Sequence, residues 1–187
     1  ICNQSHQLTS LRATENALQV KVSDQTFKLR VLVDDAEQLQ SHVLHVAYLV
    51  APDLFKAKSA LALAGAAPEV VKAALRLKRM ANDMLLWLSG FEVHAMRMVV
   101  GGFTMFPTKD ELKKMRQALD DREKDAMLII DTVLSVADKL PNFTRDTEFI
   151  SIKHDKEFPF YDGITYSSDT KKTYDNIEYE GVVNEFV

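Results

Sequence analysis

Cysteine is nearly absent from this chain: Cys2 is the single one among 187 residues. No internal disulfide framework can form, so stability has to come from a buried core, and a chain of this length has room for one. Glycine and proline are also scarce, at 6 and 5 residues, which excludes a collagen-like or low-complexity chain and leaves long stretches unpunctuated. Neither sign of charge dominates. The formal net charge of −4 lacks the basic footprint of a nucleic-acid binder. Lys and Arg do cluster at 72–79 and 109–116, but apolar residues interrupt them at helical spacing, the pattern of a solvated helix face. No apolar run approaches the ~18 residues of a membrane span. The longest, 43–51, is broken by His45 and stopped by Pro52. The N-terminus lacks the basic-then-apolar pattern of a signal peptide. What remains is an ordinary globular balance, 47% apolar and 27% charged. The chain opens on Ile rather than Met with its cysteine second, and residues upstream are expected.

Three long helices are legible with their punctuation. Asp24 opens an apolar-periodic run through Phe27, Val31, Leu32, Ala36, Leu39, Val43 and Val46 that is expected to stop at Pro52. Pro68 suits a first helical position and Glu69 a first turn, and the run through Val71, Leu75, Leu77, Met84, Leu85 and Leu88 ends at Gly90, a C-cap residue. Thr108-Lys-Asp-Glu111 is a capping box opening a helix through Leu112, Met115, Leu119, Ala126, Ile129 and Val133 to Lys139, with Pro141 beyond. A shorter helix is expected after Ser5, carrying Leu8, Leu11 and Leu18. From Asn142 the texture changes. Phe149-Ile-Ser-Ile152 alternates, a turn signal sits inside Phe160 to Tyr166, and Ser167 to Lys172 reads as a polar turn. The expected architecture is therefore mainly α: a long-helix bundle over 1–141, with 142–187 a small β-containing appendage of the same domain.

Composition and spacing name no activity. Cys2 with His6 four residues on fits either a small buried thiol at a helix start or a metal-ligating thiolate, which the positive end of a helix favours. In the second case His6 could donate to the sulfur or to a metal-bound ligand. His42 and His45 are three apart on one helix, but no carboxylate or Cys stands at a clear ligand spacing beside them, and no His has Glu three residues before it. They read as structural histidines. His94 precedes Gly101-Gly102, a pair suited to close backbone approach or a positive-φ turn but without dinucleotide-site spacing. His154 sits in a polar loop with no evident partner. Asp34-Asp35 and Asp120-Asp121 read as solvated surface, and Met80, Met84, Met115 and Met127 as core gap-fillers.

Taken in order, several segments resemble one family. Cys2-Asn-Gln-Ser-His6 through Val20 resembles the stretch that begins at the second cysteine of the N-terminal Cys-x-x-Cys-x-x-x-His motif of nickel–iron hydrogenase large subunits. The likeness continues through Leu39 to Val46, Ala51-Pro-Asp53, Val93-His94, Val99 to Thr104 and Pro107 to Leu112, and on to Tyr161-Asp-Gly163 and Tyr179 to Glu185. It points to the soluble cytoplasmic group. The resemblance implies the long-helix bundle of such large subunits. It makes Cys2 one of four cysteines holding nickel, at a position bridging to an iron that carries cyanide and carbon monoxide. His6 then stands beside the site. It also implies heterolytic cleavage or formation of dihydrogen, with electrons passed to a small iron–sulfur subunit, then to further electron-transfer subunits. The first cysteine of the N-terminal motif and the whole C-terminal Asp-Pro-Cys-x-x-Cys motif are absent. The sequence thus reads as a central fragment that is inactive by itself and binds no metal centre alone. Gln19 stands where the family usually has Gly, and Ala95 follows His94 where Pro is common. The alternative reading is a non-catalytic helical scaffold related to the quinone-site subunit of respiratory complex I.

Overall fold

The computed structural model describes residues 2–65, 67–175, 178 and 181, and they fall into two units, Ile1–Pro141 and Asn142–Val187. The stretch Tyr179 to Glu185 quoted for the resemblance lies largely outside the described residues. The protein is mainly α, as the apolar periodicity implies.

The first unit is organised by α5 (Pro68–Ser89), which packs on both α2 (Asp24–Leu44) and α6 (Lys109–Leu134). Its buried face is Ala73, Ala74, Leu77, Met80, Ala81, Met84, Leu85 and Leu88. The alanines on it, with Ala36 of α2, let the helix backbones approach closely while Leu and Met fill the gaps. Cross-links at the rims are polar: Gln40 Nε2 donates to Asn82 Oδ1 (2.9 Å), and Arg76 grips Asp125 through Nε (2.8 Å) and Nη2 (2.5 Å). That grip corrects the reading of α6 as apolar along its inner face. Asp125 is buried there, while Met127, expected in the core, is 48% exposed, and Leu75 of α5 is also exposed.

Local signals set most helix ends. Ser23 Oγ accepts from Thr26 N–H to cap α2, Gly90 ends α5 in the left-handed region, and the Thr108–Glu111 capping box is formed in both directions. Three ends differ from expectation. Pro52 does not stop the second helix. Residues His45–Val50 form a π-helical segment, and the chain continues as α3 (Ala51–Leu54). With the Ala51 N–H bonded to the Val46 carbonyl, five residues back, the wider turn accommodates a proline ring that would strike the fourth carbonyl back in an α-helix. α6 ends at Leu134 rather than Lys139, because the chain leaves the helical path to bury Val136, and a single 3-10 turn (Ala137–Lys139) follows. The first helix, α1 (Asn3–Leu18), starts before Ser5 instead of after it, since its cap comes from another helix, as shown below. A short α4 (Ala60–Leu63) lies between α3 and α5.

α1 is held to the unit largely by polar contacts; Leu8 is its one buried apolar side chain. At its C-terminal half, Glu15 and Arg30 of α2 form a bidentate pair, both contacts 2.7 Å, and the Arg30 side chain has no exposed surface. The pair also holds the hairpin of β1 (Met98–Val99) and β2 (Gly102–Phe103). Arg30 Nη2 donates to the Val99 carbonyl (3.0 Å), and Gly101 N–H donates to Glu15 Oε1 (2.7 Å). Gly101 has φ +82° in the two-residue turn, a conformation that strains any residue with a Cβ. The paired glycines therefore make a hairpin turn, as their spacing allowed.

The second unit contains an antiparallel sheet in the order β3 (Ile150–Lys153), β4 (Ile164–Ser167), β5 (Thr173–Tyr174). Ser151 pairs with Tyr166 and Tyr166 with Thr173. The polar stretch expected to turn does connect β4 to β5. Gly163 has φ +156°, and a Cβ there would overlap Ile152 Cγ2 and sit 2.9 Å from the Lys153 carbonyl oxygen, so the β3–β4 approach requires glycine.

Two stability predictions follow from these contacts. Gln19 occupies the left-handed position (φ 55°) after α1, with Gln19 N–H bonded to the Asn16 carbonyl and Val20 N–H to the Glu15 carbonyl, a Schellman arrangement that favours glycine. Gln19→Gly is expected to stabilise the chain by about 0.5–1 kcal/mol, the relief of left-handed strain outweighing the added unfolded-state freedom; an unchanged or lower urea midpoint would contradict this. Glu15→Gln leaves the Arg30 charge buried with half its partner and should cost about 3–5 kcal/mol at neutral pH. The Arg30 hydrogen bond holds the Glu15 carboxyl below its ordinary range, with the Gly101 N–H adding to it against the effect of burial. The pair's contribution is therefore complete above the unfolded value, about 4.3, and disappears as pH falls through the lowered folded value. The gap between wild type and Glu15→Gln in a denaturation series should narrow over that acid range; a gap independent of pH would refute the ionic reading.

Candidate functional site

The N-terminal end of α1 brings together the two residues singled out by sequence. Cys2 is the N-cap residue, exposed and free, and its side chain makes no capping hydrogen bond. His6 is exposed one turn on, its backbone N–H donating to the Cys2 carbonyl at 3.1 Å. The helix thus presents a thiol and an imidazole at one end. In this structure Cys2 is exposed, unlike the small buried thiol that was one of its two readings.

The free N–H groups of that end are satisfied from α2. Glu37 Oε1 accepts from Gln4 N–H (2.7 Å), Glu37 Oε2 accepts from Ser5 N–H (2.6 Å), and the Ser5 hydroxyl touches the same Oε2. A carboxylate at this position answers both the orphan donors and the helix dipole. Ser5 Oγ also lies 2.7 Å from Asp34 Oδ1. Asp34 is 4% exposed, which overturns its reading as solvated surface. It lies on the α2 face packed toward α1, whereas Asp35 is exposed as expected. Burial pushes the Asp34 carboxyl above the ordinary aspartate range. Gln4, fully buried, donates through Nε2 to the Phe91 carbonyl (3.2 Å), and Gln7 Nε2 donates to the Met98 carbonyl (3.3 Å). The segment after α5 is thereby fastened along α1.

Sequence reasoning missed Gln4, Ser5, Asp34 and Glu37. The signals available were weak: an Asp and a Glu three apart on a helix, and a first helix without a local cap. Their meaning depends on which helices meet.

The other candidates do not join this site. His42 and His45 are exposed near the end of α2, and His94 is exposed in the bend after α5. His154 does have partners, because its Nδ1 accepts from Lys156 N–H (3.2 Å) and Glu157 N–H (3.0 Å); it orders its own loop. Asp120 and Asp121 are exposed and engaged with Arg116 and Gln117. Among the described residues no group of three His, Cys, Asp or Glu side chains could hold a metal ion. As a soft, exposed sulfur at a helix N-terminus Cys2 suits a thiophilic metal, but these residues do not by themselves complete a ligand set. Among the described residues no helix is long and apolar enough to cross a membrane.

Comparison with known proteins gives this arrangement a context. Residues 1–73 match the family described as nickel-dependent hydrogenase. The chain is 34% identical over 117 residues to the alpha subunit of sulfhydrogenase 2 from Pyrococcus furiosus, a match covering 63% of this chain and 28% of that protein. It is 29% identical over 126 residues to the alpha subunit of the coenzyme F420 hydrogenase from Methanocaldococcus jannaschii, covering 67% of this chain and 29% of that protein. The fold resembles a chain in the crystal structure of an NAD+-reducing [NiFe]-hydrogenase in the H2-reduced state, with TM-score 0.77 and 20% identity, over 98% of this chain and 45% of the other. The chain thus spans less than half the length of these proteins. Residues 1–73 thus match that family, the chain is similar in sequence to hydrogenase alpha subunits, and it shares its fold along nearly its whole length with a chain of a [NiFe]-hydrogenase.

Proposed function

We propose that this chain supplies one sulfur donor, Cys2, to the nickel–iron centre of a hydrogenase large subunit, the other thiolates coming from sequence outside these 187 residues. The observation that carries the reading is the exposed Cys2 thiol at the N-cap of α1, inside the segment that matches the nickel-dependent family. The centre, when bound, supplies the heterolytic cleavage or formation of dihydrogen. The chain's own residues fix the position of the sulfur: Glu37 and Asp34 anchor the first turn of α1, and the Glu15–Arg30 pair anchors its other half. His6, one turn from Cys2, would donate to the sulfur or to a ligand near it.

The reading includes cyanide and carbon monoxide on the iron, an iron–sulfur small subunit with further electron-transfer subunits as partners, and a cytoplasmic location. It takes 142–187 as an appendage of the same domain. Large apolar side chains left exposed in the first unit, such as Leu61, Leu134 and Met96, are consistent with surfaces that other polypeptide covers.

The test is metal content and hydrogen-dependent dye reduction in the full-length protein, matured and purified without oxygen. Cys2→Ala is expected to abolish both while leaving helical content unchanged. His6→Ala should retain the fold and lower metal occupancy or activity by about 10–100-fold, as is usual for groups that orient metal ligands. A wild-type protein without nickel, or Cys2→Ala with unchanged nickel and activity, would rule out the assignment.

A further inference from the structure

Ser5 Oγ stands between two carboxylates, 2.7 Å from Asp34 Oδ1 and in close contact with Glu37 Oε2. A serine hydroxyl has one hydrogen and two lone pairs, so it can donate to one carboxylate only. Were both acids ionised, the other contact would set lone pair against lone pair in a buried region, where such a mismatch is costly.

The donors around the cluster decide which acid keeps its charge. Glu37 accepts two backbone N–H groups and the Ser5 hydroxyl at the positive end of α1, a setting that favours an anion. Asp34 is approached by side chains. Burial raises its carboxyl, the charge of Glu37 adds to the effect, and contacts with Ser5 and Gln38 oppose it. Around Ser5 Oγ two carboxylates therefore compete for one hydroxyl hydrogen.

We propose that Asp34 carries a proton and that Asp34, Ser5 and Glu37 form a one-proton relay at the end of α1 that bears Cys2. Asp34 donates to Ser5 Oγ, and Ser5 Oγ donates to Glu37. Transfer balances within the three groups: the Asp34 O–H bond breaks as Ser5 Oγ gains that hydrogen, while the hydrogen of Ser5 passes to Glu37. One negative charge is kept throughout. The groups facing Asp34 are Ser5 from α1, with Glu37 and Gln38 on its own helix. From α5, which also packs on α2, Lys78 donates to the Gln40 carbonyl, and Arg30, one turn before Asp34, is committed to Glu15. The relay stands on these contacts whether or not Cys2 binds nickel.

The experiment is an infrared titration of the full chain, following the carbonyl stretch of protonated carboxylic acid, with carboxyl-13C aspartate to separate Asp from Glu. An aspartic acid band should persist above the ordinary aspartate midpoint, about 3.9, and should be missing from Asp34→Asn. The asparagine amide still donates to Ser5 Oγ, so the urea midpoint of Asp34→Asn should match wild type at neutral pH, whereas Ser5→Ala should lower it. No aspartic acid band above that midpoint, or a band that survives in Asp34→Asn, overturns the proposal. So does an Asp34→Asn loss of stability as large as that of Ser5→Ala. If Asp34→Asn fails to fold, the carboxyl carbon resonances of labelled wild type decide: a buried aspartate titrating above the free value supports the relay, and none doing so overturns it.

Discussion

A guanidinium with no exposed surface has to be neutralised where it lies, and the arrangement of the first unit follows from how Arg30 meets that demand. Its fork takes both oxygens of Glu15, and its remaining reach goes to the Val99 carbonyl. Three pieces of chain distant in sequence, α1, α2 and the 98–103 hairpin, are thereby fixed to one another. Apolar burial alone would not do this for α1, whose one buried apolar side chain is Leu8. The oily contacts belong to α5 and its two neighbours. A helix fastened by directional bonds has one register and one rotation, whereas a greasy face tolerates sliding.

The same principle operates at the other end of α1. Glu37 serves as a cap supplied from a different helix, and it turns the dipole of α1 into a contact with α2. The end that carries Cys2 is then positioned by backbone hydrogen bonds rather than by the cysteine itself, which leaves the sulfur free at the surface. Gln4 and Gln7 extend this fastening to the Phe91 and Met98 carbonyls in the segment after α5.

Much of this was legible in advance. Thr108 and Glu111, Pro68 and Gly90, and the paired glycines carry their meaning locally, because caps and turns are satisfied within a few residues. The departure at Gln19 was legible as well; the left-handed backbone there explains why glycine is usual. Pro52 misled for a physical reason, since the wider π-helical turn before it leaves room for the proline ring in the first turn of α3. Asp34, Asp125 and Met127 misled for another: on a helix whose two faces are both partly polar, burial depends on the partner rather than on the residue type.

The amino-acid order by itself determined the three long helices, the change of texture after Pro141, the turns, and Cys2 with His6 as the pair worth testing, since each rests on chemistry between near neighbours in the chain. Tertiary structure alone decided that Glu37 caps α1, that Arg30 finds Glu15, that Arg76 grips Asp125, and that Ser5 stands between two acids. Those pairings join residues 15 to 49 positions apart, and a carboxylate surrounded by water and one aimed at a helix end are the same letter until the helices pack.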